Sequence, residues 1–182
     1  MQNEENEKLK GGKKMRKLIL FVFFIALLLS GCTSTDETGN FQIYLRDTPV
    51  DNAEKILVTI SEINVQKEGE GFLTVCSVEK TYDLVKLRSQ DAKIVDITLA
   101  EGTYTQIRLV VIAGSIVIND EPYDMTVSSS EVKIPLVFNI MEDGAVEVLL
   151  DFEADESIHV VFAKKSERYI LTPVIRVESI SF

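Results

Sequence analysis

His159, Cys32 and Cys76 are the only imidazole and thiols in the 182-residue sequence, so chemistry that needs several of either is closed to it. A Ser-His-Asp triad would have to use His159, and no Gly-x-Ser-x-Gly turn presents a serine to it. His-Glu-x-x-His and Cys-rich zinc patterns, phosphate-binding Gly-rich loops and dinucleotide Gly patterns are absent as well. Carboxylates remain. In LLDFEADESI, Leu149 to Ile158, an extended chain would put Asp151, Glu153 and Asp155 on one face with the preceding Glu147. Such a row is unfavourable unless water, lysine or a cation screens it. Calcium takes several carboxylate oxygens, which makes Asp151, Glu153 and Asp155 the candidate metal ligands; the plainer expectation is a solvated acidic strand end. The segment fails as an EF-hand loop, because its sixth position is Glu156 and its twelfth Phe162. No other cofactor is implied. Two carboxyls about 5 to 10 Å apart across a groove could cleave a glycoside, but a small chain without tryptophan makes a hydrolase the least favoured reading.

Cys32 carries a different chemistry. From Met15 the chain reads MRKLILFVFFIALLLSGC, two positive charges, an apolar run from Leu18 to Leu29 and small residues before the cysteine. That is the layout of a secretory signal peptide. The apolar run is too short to cross a ~30 Å hydrocarbon core as a helix. The ending Leu29-Ser30-Gly31-Cys32 resembles the lipobox of bacterial lipoproteins, in which the cysteine thiol receives a diacylglyceryl group and becomes the new N-terminus. Two long acyl chains would supply membrane affinity on the order of 20 kcal/mol, far beyond one reversible anchor. Upstream, KLKGGKKM, Lys8 to Met15, is what a ribosome-binding purine tract gives when read in frame. Residues 1–14 are therefore expected to be an over-called start, 15–31 a lipoprotein signal peptide, and 32–40 the lipidated cysteine with a flexible polar tether.

The first 31 residues hold six of the 19 Lys and Arg but three of the 29 Asp and Glu, which leaves the remainder with a net charge of −13. A surface of that sign repels phosphate backbones, so nucleic acid is excluded as a partner. With Cys32 lipidated, Cys76 has no disulfide partner and is expected to be an inert strand thiol. Residues 41–182 suit one domain with one core.

The elements that must position these groups are strands. Phe41, Ile43 and Leu45 alternate with polar neighbours, as do Val132, Ile134, Leu136 and Phe138, then Val146, Val148, Leu150 and Phe152, then Ile158, Val160 and Phe162. On the last of these His159 falls on the outer, solvent-facing side. Between Ile60 and Ile63 the phase slips by one residue, which predicts a bulge near Ser61-Glu62. Pro135 and Pro173 lie inside strand-like runs and should mark edges or bulges, and Leu87 to Lys93 could hold a helical turn. In RDTPVDNAEKI, Asp47, Thr48 and Asp51 read as caps of a turn that Pro49 fixes. Tyr44, Tyr82, Tyr104, Tyr123 and Tyr169 are candidates for a stacking platform or for half-buried sandwich positions. Short strands at this spacing predict an all-β fold, an antiparallel β-sandwich of immunoglobulin-like or transthyretin-like kind.

Five segments, FQIYLRDTPVDNAEKILVTISEINV, YDLVKL, LAEGTYTQIRLVV, LLDFEADESI and YILTPVIRV, occur in the order of the corresponding segments of the prokaryotic family catalogued as domain of unknown function 4382, which the chain resembles over nearly all of residues 41–182. The resemblance implies a fold and a lipoprotein or secreted setting; no activity comes with it. EGTYTQIRL also resembles the Gly-Thr-Tyr turn and strand of transthyretin-like and Cna-B-like sandwiches. The expected protein is a non-enzymatic β-sandwich at the cell envelope, outside the cytoplasm, held to a bacterial membrane by lipid on Cys32. It would bind a protein or a glycan. The alternative is a structural envelope component that meets its neighbours through an open sheet edge.

Overall fold

The computed structural model describes residues 37–47, 53–163 and 166–182. The expected over-called start and signal peptide, Cys32 and most of the expected tether lie outside them. Along the chain, β1 (Thr38–Asp47), β2 (Lys55–Lys67), β3 (Phe72–Cys76) and β4 (Lys80–Asp83) lead to the short helix α1 (Leu84–Leu87). Then come β5 (Ala92–Ala100), β6 (Gly102–Ile118), β7 (Glu121–Val127), β8 (Glu131–Ile140) and β9 (Ala145–Phe152), followed by α2 (Ala154–Ser157). The chain closes with β10 (Ile158–Ala163), β11 (Ser166–Leu171) and β12 (Ile175–Ser181).

Two sheets result, in a sandwich-like arrangement. The first has the order β12-β9-β1-β5. The second is built on the long strands β2 and β6. Along the free side of β2, β4 pairs with residues 57–60 and β3 with residues 63–66. Along the other side of β6, β8 covers the first part, from Gly102 to Val110, and β7 the last, from Gly114 to Ile118. Beyond β7 lie β11 and then β10.

Period-two burial places the core where the alternation puts it. Phe41, Ile43 and Leu45 of β1 are fully buried, as are Val148, Leu150 and Phe152 beside them on β9. Ile56, Val65, Ile107 and Leu109 are equally closed on the second sheet. A stack of rings joins the layers: Phe41 lies 5.0 Å from Phe138, which lies 5.3 Å from Tyr104. The Tyr104 hydroxyl donates to the Ala100 carbonyl at 3.0 Å, so the buried phenol is satisfied. The phase slip in β2 is real: Ile60 pairs with Val111 and Glu62 with Val110, leaving Ser61 as the extra residue.

Four expectations are corrected. The sheets are mixed, since β1 runs parallel to β9 and β11 parallel to β7; periodicity reveals which residues share a face but not which strands are neighbours. The first strand starts at Thr38, three residues before the expected start at Phe41. Gly39 hides this start from the alternation, because it is an inward position without a side chain, and a Cβ there would overlap the Met141 carbonyl oxygen. The strand-like run around Pro173 is two strands in different sheets, β11 and β12, separated at Thr172–Val174. The helical turn falls at Leu84–Leu87, where Leu84 and Leu87 point into the core, rather than at Leu87 to Lys93. Pro135, by contrast, sits as expected, on the edge strand β8 opposite Gln106, beside a register shift.

The β10–β11 hairpin departs most from expectation. Val160 and Phe162 are 44% and 78% exposed, not core, and Val161 on the opposite face is 43% exposed. The hairpin extends the second sheet past β7, beyond the four strands of the first, so its inward face has no layer to meet. Its base is well held. The hydroxyl of buried Ser157 donates to the Glu153 carbonyl at 2.7 Å and accepts from the Val174 N–H at 2.9 Å. Ser128 and Thr172 share a hydroxyl contact at 2.7 Å.

Candidate functional site

The acidic segment does not form a row. Glu147 is exposed on β9. Asp151 is buried and lies in register between Arg46 of β1 and Arg176 of β12, so guanidinium charge flanks it on both strands. Glu153 and Glu156 both bind Arg176, at 2.7 and 2.6 Å. Asp155 is exposed and accepts the Glu156 N–H at 2.9 Å. The short helix α2 breaks the strand after Phe152 and turns these side chains apart. Asp151, Glu153 and Asp155 are therefore not gathered into one ligand set, and among the described residues no three His, Cys, Asp or Glu side chains are. The cation that screens this segment is an arginine.

Asp47 plays a larger part than a local turn cap. It ends β1 with its side chain fully buried, 3.5 Å from Arg88 Nε just after α1. Its Oδ1 accepts the N–H of Ala154, the first residue of α2. Burial pushes its carboxyl up to about 7, against the opposing pull of the Ala154 N–H and Arg88. The Asp151 carboxylate one strand away adds to the rise. No local pattern could have shown this, because the bonded partner is 107 residues away.

The five tyrosines divide. Tyr82 and Tyr104 are buried, and Tyr44 lies half-buried beneath the Lys93 ammonium, 5.4 Å from its ring. Tyr123 and Tyr169 come together, their ring centroids 5.1 Å apart and tilted by 44°. They line an open cleft of about 350 Å³ with Asp124, Glu167 and Arg168. The cleft exists because β7 and β11 pair only over Met125–Val127 and Tyr169–Leu171, and the stretches before those residues are free to diverge. Pro122, which has no N–H, stands at its rim. Tyr169 is nearly covered and donates to Glu167 Oε2 at 3.0 Å, whereas Tyr123 is 38% exposed. Burial, helped by the neighbouring Glu167 carboxylate, raises the Tyr169 phenol above its ordinary value. One ring is thus fixed by a hydrogen bond and the other is presented to solvent. The residue types that made this site were visible in the sequence; the pairing that joins them was not.

His159 is exposed, as alternation places it. Cys76 is a free, half-buried thiol on β3. No helix among the described residues is long and apolar enough to cross a membrane.

The cleft and the point where the described chain begins lie at opposite ends of the second sheet's long axis. Thr38 pairs with Ala100, and the Glu101 N–H bonds to the Glu37 carbonyl, which puts the start of β1 beside the start of β6. Tyr123 pairs with Ile116, near the other end of β6. At the usual rise per strand residue the path along β6 between them is at most roughly 45 Å.

The family described as "Domain of unknown function (DUF4382)" matches residues 38–173, from the first residue of β1 to the break before β12. No curated protein and no solved structure matches the chain.

Proposed function

The chain belongs to the DUF4382 family, whose description assigns no activity, and from its own geometry we propose that it is a non-enzymatic binding module, lipid-anchored through Cys32 at the outside of a bacterial membrane, with the Tyr123 cleft as its ligand site. The observation that carries this reading is the position of the cleft. It opens near the end of β6 away from Thr38, where the described chain begins. The lipobox-like Leu29-Ser30-Gly31-Cys32 supports the anchor.

The chemistry of the cleft suits a glycan. An exposed phenol ring offers a flat apolar surface for a sugar ring, while Asp124 and Glu167 accept from hydroxyls and Arg168 donates to ring or carboxylate oxygens. A protein ligand would use the same ring as an anchor.

The test is binding of the detergent-solubilised chain to envelope polysaccharides, read as a thermal shift. A ligand at a hundred times its dissociation constant adds about 2.7 kcal/mol to stability. Tyr123→Ala should abolish the shift without moving the unliganded midpoint by more than a degree or two. A shift that survives Tyr123→Ala would remove the cleft from the reading, and no shift with any glycan would leave a protein as the ligand. Metabolic labelling with palmitate, lost in Cys32→Ser, tests the anchor independently.

A further inference from the structure

The edges of the two sheets are not alike. An open strand edge invites pairing with another chain, and proteins guard it with short length, charge, proline or bulges. On the first sheet, β12 has a register shift between Val177 and Ser179 and carries Arg176 and Glu178. The pairing of β5 is interrupted beside Ile43/Tyr44, and its Lys93 and Asp96 form an ion pair. On the second sheet, β4 has four residues and begins with Lys80, while β3 has five and a register shift. β8 carries Pro135, Glu131 and Lys133. Among the described edge strands β10 alone has none of these guards. Its pairing with β11 is regular from end to end, and its sequence, IHVVFA, has no proline, lysine or carboxylate.

We infer that β10 is an interface between two copies of this chain, which pair edge to edge and antiparallel about a two-fold axis at Val161. The strand is self-complementary in that register. Val161 faces Val161 of the second copy on one side of the sheet; on the other, Phe162 of each copy faces Val160 of its mate. All three exposed apolar side chains of β10 are covered by the same three residues, with aromatic and β-branched side chains directly opposite each other. The hairpin also stands apart from the acidic surface of the rest of the chain. Ile158 to Leu171 contains Lys164, Lys165 and Arg168 against the single carboxylate Glu167, in a chain otherwise strongly acidic. The clamped base at Ser157 and Thr172 presents the strand as a formed edge, so little ordering is needed on association. This inference does not depend on the nature of the ligand in the cleft.

The test is site-directed cross-linking of the full-length chain in its membrane. Val161→Cys, treated with a short thiol-to-thiol linker, should give a covalent dimer of twice the chain mass. Val137→Cys, more exposed than Val161 but on the guarded strand β8, should not. Phe162→Glu changes a side chain that packs against little in the single copy; combined with Val161→Cys it should lower the dimer yield at least tenfold while the thermal midpoint stays within two degrees. A Val161→Cys chain that remains monomeric, a yield no higher than that of Val137→Cys, or linkage to a protein of another mass would overturn the inference. A yield unaffected by Phe162→Glu would overturn the register. Each result is independent of Tyr123→Ala, so failure here and failure of the cleft as a ligand site are separate outcomes.

Discussion

Asp47 concentrates several constraints on one carboxyl. It bonds the start of α2, faces Arg88 and shares its surroundings with Asp151, yet burial outweighs the cations and holds its proton up to about pH 7. The consequence for stability has a definite sign. A carboxyl with a folded value near 7 and an ordinary value of 3.8 takes up more protons folded than unfolded. Its contribution is therefore fully present below about pH 4 and is lost as pH rises through 7. The maximum effect is about 4 kcal/mol by the usual conversion. The expected result is a thermal midpoint that falls between pH 5 and pH 8, measured by calorimetry at fixed ionic strength. In Asp47→Asn, which keeps an acceptor for the Ala154 N–H without a titrating proton, that fall should flatten; a fall as steep as in the parent would acquit Asp47. Nothing in RDTPVD announced this role, because a residue read within its own turn shows only its local bonds.

The elements show where sequence patterns carry information and where they stop. Alternation identified the buried faces of β1, β8 and β9, and its slip located the extra residue at Ser61. It failed at β10, whose Ile158, Val160 and Phe162 alternate as a core strand does. A pattern of that kind reports a shared face; whether a second sheet lies over that face depends on how far the other layer extends. The same limit separates Tyr123 from Tyr169 in the sequence, and β7, which carries Tyr123, is a strand that the alternation does not reveal. At the base of the hairpin, Ser157 tests whether this arm is held as the bonds suggest. Ser157→Ala leaves the half-buried Val174 N–H without its acceptor, which should cost about 1 kcal/mol. Urea unfolding would measure that loss. Hydrogen exchange should quicken across 158–171 more than across β1, and uniform quickening would mean that the serine supports the whole sandwich rather than the arm.

At the scale of the molecule, the hairpin is an excursion between two strands that are neighbours. β9 and β12 pair with each other in the first sheet, and the chain between them leaves to widen the second. Both sheets thus depend on the last forty residues. A chain ending at Val174 should lose β12, expose the β9 edge and give no cooperative thermal transition by circular dichroism; a truncated chain that melts sharply would show that three strands suffice for the first sheet.

The place of β1 has a consequence in time. It is made first, but it lies inside its sheet, with Phe41 beside Val146 on β9 and Ile43 beside Val95 on β5. Pairings so distant along the chain form slowly and only after the later partner has been synthesised. A nascent chain of this design has no finished first sheet until β9 has been made. The first strand made therefore waits unpaired, and the sandwich closes around it only when the rest of the polypeptide has followed.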